Sequence, residues 1–281
     1  MMMSMRDAFG EVMAELGKTN PKILALTADL GPSVRLSAFK EAFPDRYFNV
    51  GVAEANMISV AAGLALEGFI PFCTSFAVFL PGRCFDQIRV SVCQNKANVK
   101  LVGSHSGLSN PGDGATAQSV EDVALMRALP EMTIISPADG LETKKAVFAI
   151  AKTKGPVYLR ISRAETEVVT KESDTFEIGK ASVLRAGKKV TLIASGTMAG
   201  TALSAAEEIN GEVINLSTIK PLDQETILKS VKKTGRVITI EEHGIYGGDG
   251  LSCRRIPGPR VSGADENYGN SRRFWAISEK L

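Results

Sequence analysis

Short apolar segments alternate with amphipathic segments of helical length along most of this chain, and this alternation restricts the possible fold more than any other feature. The apolar segments have the length and composition expected of strands buried on both faces of a sheet. They cover residues 22–29, 46–50, 69–76, 98–104, 132–139 and 156–162. Between them, the spacing predicts helices over residues 4–16, 37–43, 53–68, 84–94, 119–129 and 141–152. The alternation predicts an α/β fold, in which a parallel sheet carries helices on both faces.

A polar segment from about residue 166 to residue 180 interrupts the alternation and has no strong period. We interpret it as a linker between domains. A shorter α/β unit follows, with predicted strands at 189–195, 211–217 and 235–242 and predicted helices at 198–209 and 223–233. The sequence therefore predicts two doubly wound domains, at 1–165 and 181–281, and the C-terminal one is expected to be incomplete.

The composition excludes several classes of partner and site. The chain has 33 Lys+Arg and 31 Asp+Glu, a net charge of +2, which is too close to neutral for a nucleic acid or an anionic membrane. The longest apolar stretch, 57–72, is interrupted by Glu67 and glycines, and the N-terminus does not resemble a secretory signal. The four cysteines form no CxxC pair, so we expect no metal site and free thiols in the cytoplasm.

Chemically suggestive side chains follow several of the predicted strands, at the edge where open α/β sheets bind ligands. Glu54 lies at a strand-to-helix junction, and Phe76 and Phe79 lie at and just beyond the end of another strand. Each has an ordinary interpretation, because helix dipoles favour acids in the first turn and aromatic pairs usually belong to a core. Their shared position at one sheet edge makes them candidates for a site.

The longest predicted loop follows the strand at 98–104 and contains several glycines, His105 and Asp113. A loop of this length without secondary structure is uncommon in a compact domain and is more often functional than not. Arg163 follows the last strand of the first unit, where a guanidinium at the same edge could bind a phosphate.

Six segments, in this order and spacing, resemble the second half of transketolase. They are GVAEANM, TSFAVFLPGRCFDQIR, GSHSGLSNPGDGATAQSVEDVALMRALP, YLRISR, STIKPLD and ITIEEHGIYGG. The resemblance extends from about Asp7 to Gly248 and covers the pyrimidine-binding domain and the beginning of the C-terminal domain. The first half of transketolase, which carries the diphosphate-and-metal site, is absent, so the chain resembles the C-terminal section of a transketolase that is split into two chains.

The resemblance implies a role for each candidate residue. Glu54 would hydrogen-bond N1′ of the aminopyrimidine of thiamine diphosphate, and Phe76 and Phe79 would stack against or flank that ring. His105 and Arg163 would face the sugar phosphate, with His105 also catalytic, and Asp113 would bind a substrate hydroxyl. A carboxyl that shares a proton with N1′ favours the imino form of the cofactor, and this form is its internal base. The resemblance also implies a partner N-terminal subunit, which mainly holds the diphosphate and its Mg²⁺ (or Ca²⁺), in a heterotetramer that acts on sugar phosphates.

The chain departs from the family pattern at three places. Ala117 stands where many transketolases have His, and Pro81-Gly82 replaces residues that are usually polar or basic, so the sugar specificity is open. After Gly248 the chain lacks the apolar periodicity of the family's last helix and strand. Plausible codons for residues 256 onward, read one base later, encode a segment like that helix and strand. We therefore expect a frameshift near Gly248.

Three alternatives fit parts of the sequence. The β-subunit of a 2-oxo-acid dehydrogenase E1 shares the pyrimidine-site layout, although GSHSGLS and TIKPLD favour transketolase. 1-Deoxyxylulose-5-phosphate synthase is a third relative, but that enzyme is a single long chain. A non-catalytic α/β subunit would explain Ala117 and the unusual tail, although it would not explain why Glu54, Phe76, Phe79, His105 and Asp113 occur together.

Overall fold

A computed structural model describes residues 1–254 and contains two α/β units. The strands, in chain order, are β1 (Met2–Ser4), β2 (Ile23–Thr27), β3 (Tyr47–Asn49), β4 (Ile70–Phe76), β5 (Lys100–Ser104), β6 (Thr133–Ile135), β7 (Val157–Arg160), β8 (Glu165–Glu167), β9 (Ser182–Arg185), β10 (Thr191–Ala194), β11 (Glu212–Asn215), β12 (Thr218–Lys220) and β13 (Val237–Ile240). The α-helices are α1 (Met5–Thr19), α2 (Ser37–Ala42), α3 (Glu54–Leu66), α4 (Phe79–Gln87), α5 (Asp122–Arg127), α6 (Gly140–Lys152), α7 (Met198–Ile209), α8 (Gln224–Thr234) and α9 (Asp249–Arg254).

The first unit is built on a seven-stranded sheet in the order β12-β6-β7-β5-β4-β2-β3, parallel except for β12. Consecutive strand residues point to opposite faces, so Leu101 of β5 packs with α3 and α4 while Val102 packs with α1 and α6. A separate buried apolar cluster covers each face. The predicted doubly wound α/β fold is therefore confirmed for this unit.

The second unit has a four-stranded sheet in the order β13-β10-β11-β9, in which only β9 runs antiparallel. Ala199, Ala202 and Ala206 of α7 cover one face, and Ile227 of α8 belongs to the cluster on the other. Helices thus cover both faces of this sheet as well. The predicted frameshift near Gly248 would affect the chain from about residue 249. Residues 249–254 form α9, and residues 255–281 lie outside the described residues.

One predicted helix begins at its sequence signal, and another begins earlier than predicted. The Ser4 side chain caps α1 by accepting a hydrogen bond from the Asp7 amide at 3.2 Å. The predicted helix at 84–94 instead begins at Phe79 and continues beyond α4 as a π-helical segment, Ile88–Cys93. Pro81 lies in the first turn of α4, where its missing N–H would have no intrahelical partner, so it does not end the helix.

Four strands were not predicted: β1, β8, β9 and β12. Each has only three or four residues and pairs antiparallel, β1 with β8, β9 with β11 and β12 with β6. Unlike the equally short β3 and β6, these four strands lie outside the apolar segments that alternate with helices, so the sequence pattern did not mark them. β12 belongs to the later part of the chain by sequence, yet it forms an edge of the first sheet.

A buried carboxylate network joins the two units. Asp139 caps α6 and accepts hydrogen bonds from the Val169 and Thr170 amides at 2.8 Å. Glu142, one turn further along α6, accepts from the Ala138 amide, the Asn215 side chain and the Ser217 hydroxyl. Burial raises the pKa of Glu142, and these three donors partly offset that rise.

Among the described residues, no helix has the length and apolarity needed to cross a bilayer, and no cluster of three His, Cys, Asp or Glu side chains could bind a metal ion. All four cysteines are free thiols, and Cys73, Cys84 and Cys93 are buried.

Candidate active site

The carboxyl ends of β3, β4, β5 and β7 lie at one edge of the seven-stranded sheet, and the predicted site residues follow them. Phe76 is the last residue of β4, and His105 comes directly after β5. Glu54 begins α3 a few residues after β3, and Arg163 follows β7. Parallel strands with right-handed crossovers bring these segments together, as expected for an open α/β sheet.

Glu54 is 4% exposed at the first position of α3, where the helix dipole favours a carboxylate. Its Oε1 accepts a hydrogen bond from Nη1 of Arg83 at 2.9 Å, and the Arg83 side chain is 49% exposed. The Cys84 thiol lies close by, and its pKa rises to about 12 because the thiol is buried and, secondarily, because it is near Glu54. The structure therefore places a buried carboxylate beneath a half-exposed cation.

Phe76 and Phe79 stack with ring centroids 5.6 Å apart and planes 17° apart. The Arg83 guanidinium lies over the Phe79 ring, 4.0 Å from its centroid, and the His105 ring stacks on Phe76 at 3.7 Å. A continuous series of contacts thus connects Glu54 to His105 through Arg83 and the two phenylalanines. Both rings are partly exposed, so a flat ligand can reach them.

His105 is 2% exposed and has a backbone φ of +58°, which is uncommon for a residue other than glycine. Its Nδ1 lies 2.9 Å from the Ser104 hydroxyl. Burial, with smaller contributions from the positive charges of Arg6 and Arg163, lowers the pKa of His105 to about 4. The imidazole is therefore neutral at pH 7, where it can exchange hydrogen bonds without adding a charge.

Asp113 and Arg163, which the sequence placed on different loops, form an ion pair of 3.0 Å. The Asn110 side-chain oxygen accepts a second bond from the same guanidinium nitrogen at 2.6 Å. Both charged side chains are partly exposed. The loop is not wholly irregular, because short 3₁₀ turns form at Pro111–Asp113 and Ala115–Ala117. Ala117 is buried in the second of these turns.

Sequence reasoning missed three cations at this edge: Arg6, Arg35 and Arg83. Arg6 of α1 donates to the Ser33 carbonyl at 2.9 Å, while its buried Nε has no partner among the described residues. Burial and the nearby charges of Arg35 and Arg163 lower the pKa of Arg6. A positive side chain in the first turn of a helix opposes the helix dipole, and this was the available sequence signal for Arg6. Arg35 gave no comparable signal.

Two family models match the chain over most of its length. The transketolase pyrimidine-binding domain matches residues 1–168, and the transketolase C-terminal domain matches residues 179–252.

Two of the similar proteins are described as a section or a subunit of a transketolase, and others are whole transketolases of which this chain covers about 40%. A putative transketolase C-terminal section from Methanocaldococcus jannaschii is 45% identical over 90% of this chain and 81% of that protein. A 6-deoxy-6-sulfo-D-fructose transketolase subunit from a Clostridium species is 43% identical over 90% of this chain and 80% of that protein. A solved structure described as a split gene transketolase, inactive β4 tetramer, is 42% identical with a TM-score of 0.84, covering 90% of this chain and 84% of that one. These matches agree in both domains, and the chain belongs to the transketolase family.

Proposed function

We propose that this chain is the C-terminal subunit of a split transketolase, which transfers a two-carbon ketol unit from a ketose phosphate to an aldose phosphate. The observation that carries the proposal is the buried Glu54 carboxylate at the start of α3, next to the stacked Phe76 and Phe79. His105 and the arginine side chains described above lie at the same sheet edge.

The residues present fit the aminopyrimidine of thiamine diphosphate, the cofactor on which the transketolase family depends. The near-parallel phenylalanine rings offer apolar faces to a flat heterocycle, and Glu54 offers an acceptor for N1′. When bound, thiamine diphosphate supplies an electron sink for the two-carbon fragment. Glu54 holds and shares the proton at N1′, while Phe76 and Phe79 orient the ring and exclude water from the carboxylate.

Arg83 occupies the Glu54 acceptor in the chain alone, so pyrimidine binding requires it to move. Its side chain is half-exposed and contacts the ring face of Phe79, so it can swing into solvent without leaving a buried charge behind. Glu54 then keeps its burial and exchanges a guanidinium donor for the protonated N1′.

The anionic end of the sugar binds at the arginines. The charges of Arg6 and Arg163 both lower the pKa of His105, and Arg35 contributes weakly in the same direction, which supports a cationic end of the site beside the imidazole. Guanidinium groups bind phosphate oxygens with paired hydrogen bonds. His105 exchanges a hydrogen bond with a substrate oxygen as a neutral ring, and Asp113 binds a sugar hydroxyl while its ion pair orients Arg163.

The diphosphate and its Mg²⁺ or Ca²⁺ belong to a partner N-terminal chain. In support, the similar proteins include a C-terminal section and a split gene transketolase. We infer a heterotetramer of two copies of each chain, because closed twofold assemblies are the commonest oligomers. The domain boundaries we propose remain 1–165, 166–180 and 181–281.

A sugar sulfonate is a second candidate substrate, because one relative is described as acting on 6-deoxy-6-sulfo-D-fructose. An arginine cluster attracts either anion. Ala117 removes a polar side chain near the sugar's first carbons, and this loss leaves room for donors other than the usual ketose phosphates.

The test is reconstitution with the N-terminal transketolase chain encoded by the same genome, with thiamine diphosphate and Mg²⁺. Ketol transfer is measured with a ketose phosphate and with a sulfo-ketose, and oxidation of a 2-oxo acid is measured in parallel. We expect ketol transfer that is lost in Glu54→Ala. Activity unchanged by that substitution, 2-oxo-acid oxidation instead of transfer, or a complex that binds the cofactor without any turnover would each overturn the proposal.

A further inference from the structure

The loop at residues 105–118, here called the substrate loop, is closed at its base by backbone hydrogen bonds. The Gly107 amide donates to the Ser119 carbonyl at 2.8 Å, and the Ser119 amide donates back at 3.1 Å. A long loop loses conformational entropy when it is ordered, so the contacts at its base determine how accurately it presents its side chains.

A carboxylate of the second unit binds the substrate loop beside this bridge. Oε1 of Glu242, just beyond β13, accepts a hydrogen bond from the Leu108 amide at 2.7 Å. Gly107 allows this approach, because a Cβ at that position would lie 2.3 Å from the Glu242 carboxyl carbon. The φ of Gly107, +69°, is also one that glycine adopts at little cost.

Glu242 is itself held in place from both units. The Thr197 hydroxyl donates to its Oε2 at 3.3 Å, and Nη2 of Arg160 donates to its backbone carbonyl at 2.9 Å. Arg160 is in turn fixed by an ion pair of 2.8 Å with the buried Asp122. The carboxylate therefore reaches the substrate loop already oriented.

The next residues of the same segment hold the chain where it leaves the substrate loop. The Gly244 amide donates to the Val120 carbonyl at 2.7 Å, and the Ala124 amide donates to Nε2 of His243 at 3.3 Å. Three consecutive residues of the second unit thus contact both the entry and the exit of the loop.

From these contacts we infer that Glu242 is a positioning residue, which fixes the substrate loop through the Leu108 amide and thereby orients His105 and Asp113 for the sugar. This gives the second unit a part in substrate binding. The substrate part of this role rests on the proposed ketol transfer, whereas the ordering of the loop is a property of this chain alone.

Hydrogen–deuterium exchange of the isolated chain tests the ordering of the loop. Glu242→Ala removes the acceptor, whereas Glu242→Gln retains an oxygen at the same place. Glu241→Ala is the matched control, because the neighbouring Glu241 carboxylate accepts amide bonds from Asp249 and Gly250 instead. In peptides covering the substrate loop, we expect about tenfold faster exchange in Glu242→Ala and nearly wild-type exchange in the other two. Unchanged exchange in Glu242→Ala, or equal acceleration in Glu241→Ala, would overturn the inference.

Steady-state kinetics of the complex with the N-terminal chain test the effect on substrate. We expect Glu242→Ala to raise KM for the ketose phosphate about tenfold with little change in kcat, and Glu242→Gln to restore most of the loss. A fall in kcat with unchanged KM would contradict a positioning role. If the wild-type complex transfers no ketol unit, the proposed function fails, while the exchange data still decide whether Glu242 orders the loop.

Discussion

Glu54 and Glu142 are buried to a similar degree, with exposures of 4% and 7%, but their hydrogen-bond donors differ. The Glu142 carboxylate accepts from a backbone amide, a side-chain amide and a hydroxyl, all of them buried. The Glu54 carboxylate accepts from one half-exposed guanidinium, that of Arg83. Burial alone therefore does not distinguish a structural carboxylate from one that is available to a ligand. The distinction is whether a ligand can replace the groups that donate hydrogen bonds to the carboxylate.

The same contrast applies to the surroundings of the two glutamates. Around Glu142, every donor belongs to a strand or a short connection that packs between the two units. Around Glu54, the donor is a long side chain that can exchange its partner for solvent at little cost. We expect substitution of Glu54 to affect activity and substitution of Glu142 to affect stability.

Substitution of Glu54 has the largest expected effect. Glu54→Gln retains the shape of the side chain but cannot share a proton, so we expect ketol transfer in the reconstituted complex to fall about 10²- to 10⁴-fold. The thermal unfolding midpoint should stay close to wild type, because the Gln side chain can still accept a hydrogen bond and the half-exposed Arg83 can turn to solvent. Glu67→Gln, an exposed position at the other end of α3, is the control and should change neither quantity. Activity within tenfold of wild type would remove Glu54 from the mechanism.

Glu142→Ala should give the opposite result. Three buried donors lose their acceptor, so we expect the free energy of unfolding to fall by about 3 kcal/mol in denaturant titrations. Activity per folded complex should be retained. The exposed Glu15→Ala on α1 should change stability by less than about 0.5 kcal/mol. A stable but inactive Glu142→Ala variant would break the distinction between the two glutamates.

Arg163→Met tests whether the arginines at the sheet edge bind the anionic group of the substrate. It leaves Asp113 without its partner and removes positive charge near His105, so we expect KM for a phosphorylated donor to rise about 10- to 100-fold. The rise should be much smaller for a donor without an anionic group. Arg89→Met, which removes an exposed cation paired with Asp86, should leave both KM values unchanged. Equal increases for both donors would argue against an anion-binding role.

Asp249 is another buried carboxyl. Neither of its oxygens has a hydrogen-bond partner of normal geometry among the described residues, although the nearby Ser195 hydroxyl lowers its pKa slightly. Burial, with a smaller contribution from the Glu241 charge, raises its pKa to about 8. Below about pH 4 the group is protonated in both folded and unfolded chains, so it costs nothing there. Between pH 4 and 8 the unfolded chain gains stability by ionising, and the folded state is progressively destabilised.

Asp249→Asn removes the ionisable group, so it should raise the free energy of unfolding by more at pH 8 than at pH 4. Thermal unfolding at the two pH values measures the difference. Asp174 is exposed, and Asp174→Asn is the control, which should leave the pH dependence of stability unchanged. The prediction would be contradicted if the stabilities of the wild type and of Asp249→Asn changed equally between pH 4 and pH 8.

The sequence predicted most of the fold because the central strands and long helices carry clear periods and end signals, such as the Ser4 cap of α1. It failed at β1, β8, β9 and β12, whose pairing depends on partners far away in the chain. Their three or four residues contain no local information about those partners.

The candidate site could be predicted only where residues follow strand ends. Glu54, Phe76 and His105 all follow this rule. Arg83 and Arg35 do not, because one lies on a helix and the other in a loop, and only the tertiary packing brings them to the sheet edge. The Glu242 contact could not be predicted either, because it joins the substrate loop to the segment just beyond β13 in the other unit.

β12 forms the outer edge of the first sheet but comes late in the chain. The first sheet therefore cannot be completed when the ribosome has translated only as far as β7. The edge of β6 stays open until residues 218–220 emerge and pair with it. A chain cut within the predicted linker would expose this edge to pairing with other molecules. The two units should consequently unfold in one cooperative transition, and neither should be obtained as a soluble fragment without the other.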